Sequence, residues 1–299
     1  MPIIKKDEAA PARPVIVVLY GVPGSGKTSA AISAREPILI DTDRGYDRAV
    51  QRVDTLCATK WADVTAEAEA IKRYKTVVLD TAKAALDDYL AVYVCEQNYK
   101  LRTNGLKRFG AMADEFKQFI NTLRSNGQDL VIICHDKETQ EGDVIKHAPD
   151  CTGQSKDLLI RIADQVGFVS IRNKQRVVSF EPDDTHVGKN VARMADVVVP
   201  DVTDEAFGTF MADILDGVRD AIQSRTEAQR SANELLARLH MELPLVTDEE
   251  GAAALMEMAK GLPQVMKAAF FAQAKAVLAG AGLTYDVKSK SFRKDGTPA

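Results

Sequence analysis

Short apolar runs alternate with amphipathic stretches over the first two thirds of the chain. The runs are rich in Val and Ile and have the length of strands: VIVVLY (15–20), PILID (37–41), TVVLD (76–80), LVIIC (130–134), QVGFVSI (165–171) and RVVSF (176–180). Nearly continuous apolar character, rather than strict alternation, is typical of strands buried on both faces of a parallel sheet.

The segments between most of these runs have the spacing of amphipathic helices, which predicts helices at residues 27–35, 61–73, 82–97 and 107–125. This β-α-β order predicts an α/β fold with a mainly parallel central sheet flanked by helices. The last two runs are separated only by residues 172–175, so we expect them to form a hairpin at the sheet edge.

The character of the chain changes after Pro200, where Ala, Leu, Met and Glu dominate to about residue 280. This composition predicts helices at residues 204–222, 225–240, 248–260 and 263–279. We therefore expect a flexible N-terminus (1–12), an α/β domain (13–222) and a helical C-terminal extension (223–299).

The composition, with 45% hydrophobic and 27% charged residues, is that of a globular protein. No apolar run approaches the ~20 residues that span a bilayer, and the N-terminus lacks the apolar stretch of a signal peptide, so we expect no membrane contact and a cytoplasmic location. Four widely spaced cysteines without a CxxC pair argue against a zinc site or a disulfide framework. A net charge of -4 restricts any nucleic-acid contact to a local basic patch.

The first strand leads into a complete phosphate-binding loop that matches G-x-x-x-x-G-K-[ST]. Its glycines let backbone N–H groups point at phosphates, Lys27 adds a cation at the β and γ phosphates, and the Thr28 hydroxyl is a ligand for Mg²⁺. ATP and Mg²⁺ are the predicted cofactors. The predicted nucleotide contacts are Gly21, Val22, Pro23, Gly24, Ser25, Gly26, Lys27, Thr28 and Ser29.

A second metal ligand is expected at Asp80, because ligands of open α/β sheets bind beyond the carboxyl ends of the strands. TVVLD followed by Thr81 resembles a Walker B segment. The alternative is that Asp80 and Thr81 only cap the helix that follows.

Two further polar side chains follow strands, and both are candidates for the catalytic machinery. Asp43 is the candidate for orienting or deprotonating the attacking water, in preference to Asp41, which closes its strand. The alternative is a turn stabilised by local hydrogen bonds. His135 ends the LVIIC run and is a candidate γ-phosphate sensor, although a structural histidine is an open alternative.

Together, the order of these motifs resembles the RecA-like core over about residues 13–222. More closely, it resembles phage nucleotide-binding proteins of the AAA class, which include single-strand-annealing ATPases. The resemblance implies a Mg²⁺-dependent ATPase that acts on single-stranded DNA in phage recombination or annealing, as a homo-oligomer in the bacterial host cytoplasm. The family usually has Glu where Asp43 stands. The helical tail is a candidate site for a single-stranded-DNA-binding protein.

RecA-like proteins hold DNA in loops after the Walker B helix and after the sensor strand, and here the two loops differ in charge. The first, about residues 99–110, carries cations interleaved with aromatic side chains, which suits phosphate contact and base stacking. The second, residues 136–155, has five acids against two lysines. The first loop is therefore the predicted DNA site, with a solvated basic turn as the alternative. Its candidate contacts are Tyr99, Lys100, Arg102, Lys107 and Arg108, beside Phe109.

The resemblance also implies a basic residue of the hairpin, Lys174 or Arg176, that reaches the γ-phosphate of a neighbouring subunit. If the first loop does not bind DNA, the C-terminal cations Lys288, Lys290, Arg293 and Lys294 are the next candidates. Two other functions stay open: a small-molecule P-loop kinase, for which the sequence offers no arginine-rich lid, and a nucleotide-gated loader or scaffold with slow or no hydrolysis.

Overall fold

The structure, a computed structural model, describes residues 13–49, 51–287 and 289–294. The chain divides into two compact units, and the boundary lies between Ile222 and Gln223. The N-terminal residues 1–12, which the sequence predicts to be flexible, lie outside the described residues.

A ten-stranded sheet forms the centre of the larger unit. Its strands are β1 (Ile16–Gly21), β2 (Pro37–Asp41), β3 (Asp54–Cys57), β4 (Thr76–Asp80), β5 (Asp129–Glu141), β6 (Val144–Pro149), β7 (Gln165–Arg172), β8 (Gln175–Ser179), β9 (Lys189–Asn190) and β10 (Val197–Val198). The order is β10-β8-β7-β1-β5-β4-β2-β3, with β6 paired to β5 and β9 to β7. Neighbouring strands from β7 to β3 are parallel, whereas β8, β10, β6 and β9 pair antiparallel.

Helices cover both faces of this sheet. They are α1 (Lys27–Ala31), α2 (Trp61–Ala66), α3 (Ala68–Ile71), α4 (Ala91–Gln97), α5 (Gly105–Ser125), α6 (Gly153–Ile162) and the start of α7 (Phe210–Glu242), with a π-helical stretch (Ala84–Leu90) leading into α4. Along β1, Ile16 and Val18 pack into one apolar cluster and Val17 and Leu19 into the other. The strands are apolar on both faces because both faces are buried, and the predicted fold class is confirmed.

Trp61, the only tryptophan of the chain, begins α2 and is fully buried in the cluster that contains α4 and α5. Its ring lies edge-on to Phe119 at 5.2 Å between ring centroids and 6.3 Å from Phe116. Aromatic burial of this kind anchors the helices to their face of the sheet.

The sensor strand is longer than the sequence suggests. β5 continues to Glu141, turns at residues 142–143 and returns as β6, so most of the segment 136–155 is an antiparallel ribbon. The prediction of a loop there was wrong, because residues 136–141 are polar on both faces and give no apolar signal. The signal that was available is the turn pair Gly142-Asp143, in which Gly142 has a φ of +64°.

The smaller unit is helical with a terminal hairpin. It contains the end of α7, then α8 (Glu249–Met258), α9 (Gln264–Gly280), β11 (Leu283–Asp286) and β12 (Ser291–Lys294). The two helices predicted at 204–222 and 225–240 are instead a single helix, α7, preceded by a 3₁₀ turn (Glu205–Thr209). No Pro or Gly interrupts the chain between Val218 and Glu242, so nothing ends the helix at that point.

The hairpin β11–β12 was not predicted, since only Leu283, Tyr285 and Phe292 mark it as apolar. Tyr285 and Phe292 are paired across the strands, with ring centroids 5.2 Å apart. None of the helices in the described ranges combines the length and apolar character needed to cross a membrane.

Candidate nucleotide-binding site

The loop between β1 and α1 has the backbone that its glycines make possible. Gly24 and Gly26 have φ values of +77° and +85°, in the left-handed region where a Cβ is disfavoured. The loop borders a cleft of about 310 Å³, here called the P-loop cleft, which is also lined by Asp43, Asp80, His135 and Arg176. Of the predicted contacts, those that line the cleft are Pro23, Gly24, Gly26, Lys27, Thr28 and Ser29.

The Lys27 ammonium folds back onto the end of β1. Its Nζ donates to Gly21 O at 2.8 Å and to Val22 O at 2.9 Å, and the residue is only 6% exposed. Burial lowers the pKa of Lys27, and the charge of Asp80 partly opposes this. The amine therefore lies at the floor of the P-loop cleft, held by carbonyl oxygens.

Thr28 and Asp80 are joined by a hydrogen bond, in which Thr28 Oγ1 donates to Asp80 Oδ2 at 2.6 Å. Burial raises the pKa of Asp80, and the hydrogen bond from Thr28 lowers it in part. Two hard oxygen donors therefore lie side by side at the P-loop cleft, and this donor set fits Mg²⁺. The residue following Asp80 is Thr81, and the peptide bond between them is cis.

Asp41 holds the loop that carries Asp43. Its Oδ1 accepts from the backbone N–H groups of Asp43 (3.0 Å) and Gly45 (3.2 Å), and its Oδ2 accepts from Tyr46 N–H at 2.9 Å. The carboxylate is buried and thus serves the backbone, not the P-loop cleft. This leaves Asp43 as the acid of that loop that faces the cleft.

Asp43 and His135 face one another across the P-loop cleft. His135 Nε2 lies 3.6 Å from Asp43 Oδ2, and the two side chains are 36% and 48% exposed. The other ring nitrogen, Nδ1, is buried and has no hydrogen-bond partner among the described residues. The two residues that the sequence proposed separately, as base and as sensor, are thus brought together at one point.

Arg176 lies in the P-loop cleft of its own chain. A Cβ built on Gly26 would meet Arg176 Nε at 3.2 Å, which places the guanidinium directly beside the phosphate loop. This guanidinium makes no hydrogen bond or ion pair with any described residue. Lys174, by contrast, is in the β7–β8 turn with a φ of +64° and is exposed. The resemblance implied a role across subunits for Lys174 or Arg176, and the two side chains lie in different places: Arg176 at the P-loop cleft and Lys174 at the exposed turn.

Thr42, which was not among the predicted site residues, joins the ends of β2 and β4 by hydrogen bonds. Thr42 N–H donates to Asp80 O at 2.7 Å, and Thr42 Oγ1 accepts from Thr81 N–H at 2.9 Å. The available signal was the repeated ending Asp-Thr in PILIDT and TVVLDT. These hydrogen bonds fix the distance between the strand that carries Asp80 and the loop that carries Asp43.

The segment predicted to bind DNA, here called the basic segment (residues 99–110), forms a 3₁₀ turn (Tyr99–Thr103) followed by the first turns of α5. Asn98 and Asn104 accept hydrogen bonds from the backbone N–H groups of Lys100 and Lys107 and so cap the two helices. Tyr99 is 72% exposed. None of the segment's basic side chains forms an ion pair with a described residue: Lys100, Arg102, Lys107 and Arg108.

Phe109 differs from the prediction for the basic segment. It is half-buried and packs against the apolar cluster of the larger unit, so it anchors the start of α5. The exposed apolar side chain at this point is Leu106. In the C-terminal hairpin, Arg293 Nε lies 3.9 Å from Asp286, whereas Lys288 lies outside the described residues.

A phosphate loop, a Thr–Asp oxygen pair and a parallel sheet define the class as a P-loop NTPase. A family model described as "AAA domain" matches residues 13–192, and the chain belongs to that family. A crystal structure of the RadB recombinase is similar at 16% identity, with a TM-score of 0.35, over 57% of this chain and 81% of that chain. No curated protein matches the chain. The resemblance to AAA-class P-loop proteins is confirmed.

Proposed function

We propose that this protein hydrolyses ATP with Mg²⁺ and couples hydrolysis to binding of single-stranded DNA. The observation that carries the proposal is the set of side chains at one cleft: Lys27, the Thr28–Asp80 pair, and Asp43 opposite His135. From the resemblance described above, we infer that recombination or annealing in phage is the setting and that the protein works as an oligomer.

Lys27 supplies the cation for the phosphates. Its ammonium is held by Gly21 O and Val22 O, which are neutral acceptors. The β and γ phosphates offer stronger, charged acceptors, and the ammonium exchanges carbonyl for phosphate oxygens as ATP enters.

Thr28 and Asp80 would hold Mg²⁺, which neutralises charge on the β and γ phosphates when it is bound. The Thr28 hydroxyl, which donates to Asp80, would offer its oxygen as a ligand. Burial leaves the Asp80 carboxylate poorly solvated, and a poorly solvated carboxylate favours a cationic partner.

Asp43 orients the attacking water and accepts its proton, and His135 positions the carboxylate. This assignment follows from the 3.6 Å separation between His135 Nε2 and Asp43 Oδ2 at the mouth of the P-loop cleft. Asp is one methylene shorter than the Glu usual in the family, so turnover is expected to be slow unless DNA binding moves the loop inward.

Arg176 contacts the nucleotide of its own chain. Its guanidinium is beside Gly26 and has no acidic partner in hydrogen-bond range among the described residues, so a phosphate oxygen is its natural ligand. The role across subunits is proposed for Lys174, which is exposed at the tip of the β7–β8 turn.

Single-stranded DNA is proposed to bind the basic segment. Its cations are not neutralised by the acids of this acidic protein, and Tyr99 and Leu106 expose apolar surface between them. Cations next to an exposed ring provide phosphate contact and base stacking at one surface.

The test is an ATPase assay of the full chain with and without single-stranded DNA, with Lys27→Ala as the inactive control. We expect slow turnover that single-stranded DNA stimulates and that Lys27→Ala abolishes. A turnover rate that DNA does not change and that a phosphoryl acceptor increases would identify a kinase. Tight ATP binding without turnover in either condition would identify a nucleotide-gated loader.

A further inference from the structure

Three side chains of metal-ligating type meet on one face of the β5–β6 ribbon, which begins directly after His135. Asp136 and Glu138 are two residues apart on β5 and share a face, and Glu138 lies directly opposite His147 in the register of the ribbon. One potential ligand atom from each residue lies within 4.8 Å of the others. The arrangement follows from strand pairing and needs no unusual backbone.

Asp136 gives the second observation. Its side chain is 2% exposed, and its Oδ2 is hydrogen-bonded to His147 Nδ1 at 2.6 Å. Its Oδ1 is buried and has no hydrogen-bond partner among the described residues. A buried carboxylate oxygen without a partner is costly, and a cation at this point removes the cost.

The surroundings favour a cation. Residues 136–155 carry five acids against two lysines. No lysine or arginine of the described residues forms an ion pair with Asp136 or Glu138. Glu138 is exposed, so an ion can reach the cluster from solvent.

We propose that Asp136, Glu138 and His147 bind a divalent ion of the first transition row, such as Zn²⁺ or Mn²⁺. An imidazole nitrogen with two carboxylates suits these ions, whereas Mg²⁺ and Ca²⁺ prefer ligand sets made only of oxygen. The bound ion joins β5 to β6 in the residues that directly follow His135, and it fixes the register of the ribbon. The proposal is independent of the proposed ATPase function, because it requires neither nucleotide nor DNA.

The experiment uses the metal-free full chain without nucleotide, titrated with Co²⁺ in the presence of excess Mg²⁺. Visible absorption reports ligation, and equilibrium dialysis with Zn²⁺ gives the stoichiometry. We expect one equivalent to bind, with an increase in Tm, and we expect Asp80→Asn to bind as the parent does, since the P-loop cleft is not involved.

Glu138→Gln is the diagnostic variant, because its side chain is exposed and its loss leaves the core intact. His147 is less suitable because its ring stacks on Phe168, with centroids 4.7 Å apart. Loss of one ligand should weaken binding on the order of tenfold or more. The matched control is Glu141→Gln, an acid of the same strand on the opposite face, which should bind as the parent does.

The proposal is overturned if the parent binds no Co²⁺ or Zn²⁺ beyond the Asp80-dependent amount. It is also overturned if Glu138→Gln and Glu141→Gln bind equally well. In either case Asp136 and His147 are a hydrogen-bonded pair that holds the ribbon without an ion.

Discussion

At the scale of single residues, the bond between Thr28 and Asp80 places a buried carboxylate at the phosphate loop. Burial raises the pKa of Asp80, so the folded protein holds the proton of this carboxyl group more tightly than the unfolded chain does. The free energy of unfolding therefore falls as pH rises from the pKa of the unfolded chain through the pKa of the folded protein. The proposed metal role of Asp80 would therefore keep a charge where folding disfavours it.

We expect Asp80→Asn to be more stable than the parent at neutral pH, because the amide still accepts from Thr28 but carries no charge. The gap in Tm should close as pH falls and the parent carboxyl takes up its proton. Mg²⁺-dependent turnover should drop on the order of 10²-fold or more. Thermal unfolding at several pH values and a Mg²⁺ titration of ATPase activity check both parts. An unchanged Mg²⁺ titration would leave Asp80 with only a capping role.

The facing pair of Asp43 and His135 makes a second prediction at this scale. Asp43→Asn should cut turnover by ~10²-fold with nucleotide affinity kept, because the amide cannot accept the proton of water. Asp43→Glu should retain or raise the rate, since the longer side chain restores the usual reach. Turnover and the affinity for a fluorescent ATP analogue are measured for all three proteins. Equal rates would assign Asp43 to the turn that Asp41 holds.

At the scale of elements, the basic segment combines four basic side chains and the exposed ring of Tyr99 in a 3₁₀ turn and the first turns of α5. Lys107→Ala/Arg108→Ala should weaken single-strand binding and flatten its salt dependence, by a log-log slope of ~0.7 for each phosphate that the variant no longer neutralises. Tyr99→Ala should instead cost ~1–3 kcal/mol with little change in slope, because stacking is not a charge effect. Fluorescence anisotropy at several salt concentrations measures both.

The matched control for the double variant is Lys72→Ala/Lys117→Ala, which removes the same charge from exposed lysines that pair with Glu69 and Asp114. Its slope and affinity should equal those of the parent. If both double variants lose affinity alike, the effect is one of net charge, and the C-terminal hairpin becomes the next site to test.

Elements differ in how far the sequence predicts them. The strands buried on both faces, such as β1 and β4, can be recognised from the sequence alone because nearly every position is apolar. The ribbon β5–β6 and the hairpin β11–β12 are held by backbone pairing, and most of their side chains are at least partly exposed, so only a few positions such as Leu283 and Phe292 must be apolar. The same holds for the site. The loop and strand-end residues can be predicted from their motifs and their order along the chain. The place of Arg176 depends on the pairing of β8 with β7, which in turn lies beside β1, and no local sequence pattern encodes that pairing.

At the scale of the whole molecule, the proposed oligomer distinguishes the two cations of the β7–β8 hairpin. Arg176 lies in the P-loop cleft of its own chain, so a mixture of Arg176→Ala and Lys27→Ala should show no rescue of ATPase activity at any ratio. A mixture of Lys174→Ala and Lys27→Ala should be partly rescued, because Lys27→Ala subunits supply the missing lysine to intact phosphate loops.

The control for these mixtures is wild type diluted with Lys27→Ala, which gives the loss expected from an inactive neighbour. Rescue with Arg176→Ala would return that residue to a role across subunits. Absence of rescue with Lys174→Ala would remove the proposed role of Lys174.

Trp61 has a consequence for any study of how this chain unfolds. It is the only tryptophan, it is fully buried, and it belongs to the unit that ends at Ile222. Tryptophan fluorescence therefore reports the unfolding of the NTPase unit and does not report the unfolding of the unit that follows. Far-ultraviolet circular dichroism, to which the C-terminal helices contribute, sees both. If the two optical signals change at different denaturant concentrations, the units unfold as separate cooperative blocks, and the offset between the curves gives the difference in their stability without any cleavage of the chain.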